Sequence, residues 1–355
     1  LCTVSQIALI AVAATVCLGS EASAQVFTGA QTTNGPFQSG QQIFYNISKF
    51  DANAANAASG ASQQYFHDNS SLNATAANAI VGGVQYFDTT STLNASVGNA
   101  ITGGRQTFYN DTLLNASAAS AINGGTQWFY GSSLLNASSA DAISGGSQTF
   151  QSASRLNATA ANAVSGGTQT FYHASTLNVF DNNALTRDVT VNFDNQFGGV
   201  GGTLRLNGYS TVVGGINSLT AGSGVIENRW ATNGVLTVDS STVGNSAFSG
   251  TIQDGGTGSL ALVKTGAGTL TLSGTSSYSG STTVNGGTLT IQNGGSVSNG
   301  DGAIGNLAAS TGAATVDGPG SSWINAGQLY VGNAGTGTLT ISNGGKVTNY
   351  FGAIG

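Results

Sequence analysis

The chain has 355 residues, 39% of them hydrophobic and only 6% charged, with 54 glycines, 2 prolines and a formal net charge of −6. A disordered Gly- and Ser-rich chain would lack this aliphatic and aromatic content, so the composition excludes wholesale disorder. The few basic residues are scattered from Lys49 to Lys346, which excludes the basic stripe that a nucleic-acid partner needs.

In chain order, the first element is the apolar run Ile7–Leu18, followed by Ala22-Ser23-Ala24. That small-x-small pattern is what a signal peptidase cuts, so residues 1–24 read as a signal peptide with cleavage before Gln25. No Met starts the chain and no Lys or Arg precedes the run, as expected of a truncated N-terminus. Cys2 and Cys17 both lie in this leader. The mature chain therefore has no disulfide staple and must be stabilised by packing alone.

Residues 25–185 carry a repeat of period 21. Leu-Asn-Ala recurs at Asn73, Asn94, Asn115, Asn136 and Asn157. Gln64, Gln85, Gln106, Gln127, Gln148 and Gln169 keep the same step, each followed two residues later by Phe66, Phe87, Phe108, Phe129, Phe150 or Phe171. Gly pairs from Gly82-Gly83 to Gly166-Gly167 supply corners, where a positive φ is easily reached. A fixed period in this range marks a solenoid, whose units bury a core only by stacking. Short apolar pieces around Leu114, Ile122 and Gln127–Phe129 predict three short strands per coil, each pairing with its copy about 4.8 Å away. Phe stacks on Phe and Leu on Leu, worth roughly 1.5–3 kcal/mol per fully buried side chain. The Asn and Gln columns are expected to form buried amide ladders. Asn73-Ala-Thr75 and its copies also match the N-x-S/T glycosylation pattern, which a buried ladder could not use.

From about residue 186 to 355 the period breaks, and strand-like pieces continue in a Gly- and Thr-rich background. Residues 248–291 have a sharper signature. Lys264-Thr265-Gly266, Gly268-Thr269-Leu270-Thr271-Leu272, Tyr278-Ser279-Gly280 and Gly286-Gly287-Thr288-Leu289 resemble the passenger-associated transport repeat of bacterial autotransporters (type V secretion). More loosely, Gly124-Gly125-Thr126-Gln127-Trp128-Phe129 is similar to the repeats of AIDA-type self-associating adhesins. Over residues 289–355, Leu289-Thr-Ile-Gln-Asn-Gly-Gly recurs at an offset of 50 as Leu339-Thr-Ile-Ser-Asn-Gly-Gly. The resemblance implies a C-terminal β-barrel translocator in the full-length chain, of which this sequence would be a fragment.

Little chemistry is legible. His67 and His173 follow the repeat Phe at corners, and His67-Asp68 with any serine makes a triad only on paper. No Cys survives cleavage, and the His spacing suits no metal site, so no metal and no cofactor are expected. The expectation is a non-enzyme: an all-β, right-handed parallel β-helix of about 21 residues per coil, roughly 16 coils and about 75 Å long. By resemblance it would be exported to the bacterial cell surface or outer membrane. Its role there would be adhesion, with its own copies on neighbouring cells or a host or abiotic surface as partner. The alternatives are a structural stalk that presents an absent head, and a secreted matrix protein.

Overall fold

The computed structural model describes residues 14–16, 24–29, 32–33, 37, 39–196, 199 and 201–355, and no helix occurs among them. They wind as a parallel β-solenoid of about 14 turns with about 22 residues per turn. Two compact units divide at Leu156/Asn157. The boundary therefore falls before residue 185, where the sequence period breaks.

In the first unit one column of strands comprises Gln41–Tyr45, Gln63–Phe66, Val84–Phe87, Arg105–Phe108, Ile122–Phe129 and Ile143–Phe150. They pair parallel with Gln42, Gln64, Gln85, Gln106, Gln127 and Gln148 in one register. A second column holds Lys49–Ala52, Ser71–Ala74, Thr92–Ala95, Leu113–Ala116 and Leu134–Ala137, with Phe50, Leu72, Leu93, Leu114 and Leu135 aligned. Alternation sends every second residue inward, so both columns face the core. Phe44, Phe66, Phe87, Phe108, Phe129 and Phe150 stack with ring centroids 4.6–4.8 Å apart and planes within 10° of parallel.

The third side is thinner than the three-strand reading expected. Ala58, Ile80, Ile101 and Ile122 are joined by single bridges, and only Ile122–Phe129 and Ile143–Phe150 extend that side into a continuous strand. The reason is the corner chemistry on either side. Asn78, Asn99, Ser120 and Asp141 take φ near +54°, and Gly83, Gly104, Gly125 and Gly146 take φ of 73–82°. Small residues that bond their own backbone tolerate this left-handed region. Between two such corners the straight segment stays short in every turn, and where Ile122–Phe129 and Ile143–Phe150 run on, the corner persists inside the pairing as a register shift between Ile122 and Thr126.

The second unit has three full strands in most turns. Thr251–Gly255, Leu260–Thr265 and Thr269–Leu272 make one turn, and Thr275–Ser277, Thr282–Val284 and Gly286–Ile291 make the next. Their pairing offsets vary, from 19 residues (Thr269 to Thr288) to 27 (Leu177 to Leu204). This variation is why the turns average longer, and number fewer, than a uniform 21 predicts. The 50-residue repeat becomes intelligible here. Leu289, Ala314 and Leu339 occupy one column, so the offset of 50 is two turns of 25.

Candidate functional site

The amide columns occupy opposite sides of the wall. The Gln side chains share the parity of the core Phe residues and point inward, where Gln64, Gln85, Gln106, Gln127 and Gln148 are fully buried. Each Nε2 donates to Oε1 of the preceding turn: Gln64 to Gln42 (2.8 Å), Gln85 to Gln64 (2.7 Å), Gln106 to Gln85 (2.8 Å), Gln127 to Gln106 (2.7 Å) and Gln148 to Gln127 (2.7 Å). Those of Gln106, Gln127 and Gln148 also reach the corner carbonyls of Gly103, Gly124 and Gly145 at 3.2–3.3 Å. In the second unit Gln169 is also buried and Phe171 lies in the core.

From Asn73 to Asn157 the Asn column is half-buried rather than buried, which corrects the sequence expectation; Asn178 is buried. Asn73 lies between inward Leu72 and Ala74, so strand alternation turns it outward and leaves it half-buried, as it does Asn94, Asn115, Asn136 and Asn157. The ladder forms nonetheless: Asn73 donates to Asp51 (2.7 Å), Asn94 to Asn73 (2.9 Å), Asn115 to Asn94 (2.9 Å) and Asn136 to Asn115 (3.3 Å). In the second unit Asn178 donates to Asn157 at 2.9 Å. The bound amides, rather than burial, now argue against sugar at these positions.

Other sequence-singled residues assemble no reaction centre. The His67 Nδ1 faces Asp88 of the next turn at 3.7 Å, not its neighbour Asp68, and its ring stacks on Tyr45 at 5.1 Å. Among the described residues no group of three or more His, Cys, Asp or Glu is placed to hold a metal. Ala22 and most of the expected signal peptide lie outside the described residues. Ala24 and Gln25 open the strand Ala24–Thr28, which pairs with Gln41–Tyr45.

Among the described residues, the one charged side chain with no exposed surface lies in the 248–291 segment. Lys264 falls at an inward position of Leu260–Thr265 and has no exposed surface. Its Nζ donates to the carbonyls of Thr265 (2.5 Å), Gly266 (3.0 Å) and, in the next turn, Gly286 (3.2 Å). One ammonium thus closes a corner and ties two turns together. Burial lowers its pKa to about 8, against the opposing pull of Asp239. Tyr278 is likewise buried, its hydroxyl 2.7 Å from the Thr282 hydroxyl, and burial raises its pKa well above the usual phenol value. Gly266 and Gly287 take φ of 72° and 60°, and a Cβ on Gly280 would strike the Leu260 carbonyl. Lys264, Gly266, Tyr278, Gly280 and Gly287 thus each have a backbone or packing task.

Residues 262–291 match the passenger-associated-transport-repeat family. No curated protein and no solved structure matches the chain. That repeat within a parallel β-solenoid fits an autotransporter passenger domain, and passengers of this kind are exported to the cell surface or the extracellular space. No described helix is long and apolar enough to cross a membrane, which says nothing of a β-barrel.

Sequence reading missed two features. One is the column of left-handed Asn, Ser and Asp corners, whose signal was the recurrence of Asn78 and Asn99 one period apart. The other is the aromatic dressing of the outer wall. There Tyr65 stacks on Tyr86 at 4.9 Å, Tyr109 stacks on Tyr130 at 5.0 Å, and the Arg105 guanidinium lies 5.3 Å from the Trp128 ring.

Proposed function

We propose that this passenger acts in adhesion, through cell–cell self-association or attachment to a surface, and that it has no catalytic role. The observation that carries the reading is the outward amide column of the first unit. Asn73, Asn94 and Asn115 repeat without charge on a half-buried face. An amide has two N–H donors and two acceptor lone pairs, and the ladder uses one of each, leaving both kinds of group for a partner. A face built this way is complementary to a copy of itself, and each added turn multiplies the weak polar contacts.

Deleting residues 40–185 from the passenger in producing cells tests it. Dispersal of cell clumps, or loss of surface attachment, is the expected result. Clumping and attachment at the undeleted level would overturn the reading and favour a stalk that presents a separate head.

A further inference from the structure

We infer that the second unit carries a binding site for an uncharged polysaccharide, built on Trp230 with Phe180 and Tyr209. The three residues occupy one corner of three successive turns, just after strands whose Leu177, Leu204 and Ile226 stand in register. The corresponding positions of the 21-residue repeat, from Thr75 to Thr159 one turn before Phe180, hold small hydroxyl residues. Aromatic rings replace them where the sequence period breaks. They do not stack like the core ladder: Phe180 and Tyr209 meet Trp230 at 6.3 and 5.8 Å with planes tilted by 50° and 53°. Trp230 remains 48% exposed.

Two buried asparagines hold the corner rigid. Asn207 donates Nδ2 to the Val179 carbonyl at 3.3 Å, joining the Tyr209 corner to the end of the Phe180 strand. The Asn228 Oδ1 accepts from the Gly208 N–H at 2.6 Å, and its Nδ2 donates to the carbonyls of Thr232 (2.7 Å) and Ser259 (2.9 Å). The rings are therefore positioned before any ligand arrives, which lowers the ordering cost of binding.

The surroundings select the ligand class. Asp181 and Arg229 border the rings with one charge of each sign, and Arg205 is already paired with Glu227 at 2.7 Å. No net charge remains to attract an anionic polymer. Asn182, Thr232 and Asn233 are exposed nearby and can exchange hydrogen bonds with hydroxyl groups. A pyranose offers what this corner accepts: a C–H face for the indole and a rim of hydroxyls for the amides. A protein partner fits less well. Aromatic side chains bury about 150–250 Å² each when fully covered, and rings that already cover one another expose far less than the roughly 800 Å² per partner of a specific protein contact.

The site rests on the adhesion reading for its purpose but not for its geometry. Electrophoresis of the full chain through native gels containing hydroxyethylcellulose, galactomannan or dextran, with heparin as the anionic control, tests it. Retardation by at least one neutral polymer is expected, falling about tenfold or more in Trp230→Ala and largely kept in Trp230→Phe, with far-UV circular dichroism unchanged in both. Absence of retardation by all three neutral polymers, retardation by heparin alone, or full retardation of Trp230→Ala would overturn it. So would a clumping defect in Trp230→Ala without any polysaccharide retardation, which would assign the corner to a protein partner. Retardation that depends on Trp230, in a protein whose 40–185 deletion leaves clumping intact, would keep this site and discard only the self-association reading.

Discussion

The two units reach the same architecture by different economies. The first repeats one solution: a buried Gln bonded to its copy, a Phe stacked on its copy, and, from Gly83 on, corners that return every 21 residues. The second varies its turn length and meets each corner individually, with Lys264 over three carbonyls, Tyr278 against Thr282 and Trp323 donating Nε1 to Asn299 Oδ1 at 2.7 Å. Repetition makes every interaction dependent on its neighbours in the column. Variation lets neighbouring turns be tied by unlike residues, and it leaves room for residues such as Trp230 that serve no column. The segment matched by the transport repeat lies wholly in the varied unit.

Substitutions can break or sharpen this contrast. The largest effect is expected for Phe108→Ala in the first unit, whose ring is stacked on both sides. Cavity and lost transfer energy together cost about 3–5 kcal/mol, read as a shift of the urea midpoint. Next comes Gln106→Leu, of similar volume but unable to bond, which orphans the Gln85 Oε1 and weakens Gln127. A loss of about 2–3 kcal/mol is expected, against no more than about 1 kcal/mol for Asn115→Ala on the half-buried outer column. Equal losses for the two would show that the inner and outer ladders are energetically alike.

The varied unit should instead respond to pH. The pKa of Lys264 is lowered to about 8 in the folded chain. The unfolded chain therefore binds more protons between that value and the ordinary lysine pKa, and stability rises with pH over that window. From pH 8 to 10 the gain should be about 2 kcal/mol, by the worth of about 1.4 kcal/mol per pKa unit. Lys264→Met should flatten the slope, and thermal midpoints across that range would show it. Above pH 10 the raised pKa of Tyr278 acts in the opposite sense. Its folded form keeps the proton that the unfolded form gives up, so stability is lost there.

The smallest effect is a gain. Thr89 and Thr90 are β-branched residues at φ of 49° and 63°, a region they enter at a cost. Thr89→Asn should stabilise the first unit by about 0.5–1 kcal/mol, visible as a higher thermal midpoint. A decrease would mean that the corner needs the threonine for packing rather than tolerating it.

Much of the fold was legible because the solenoid writes its geometry as arithmetic. A 21-residue step is one turn in the first unit, and the 50-residue step is two turns in the second. Even the sidedness of the ladders was present, since Gln106 shares parity with Phe108 whereas Asn115 alternates with Leu114 and Ala116. The aromatic corner was not legible. Phe180, Tyr209 and Trp230 are separated by 29 and 21 residues with no common motif, and only the in-register pairing of their strands brings them together.

What the sequence by itself determined is therefore the class of structure and its export-associated repeat. Periodicity, strand alternation and corner residues are local properties, and stacking adds nothing that the period does not already imply. The tertiary structure decided which polar groups are buried and which unlike residues become neighbours. Lys264 is one charged residue among several until the Gly286 carbonyl of the next turn closes over it. That contact depends on the length of one particular turn, and where turn length varies only the folded chain sets it.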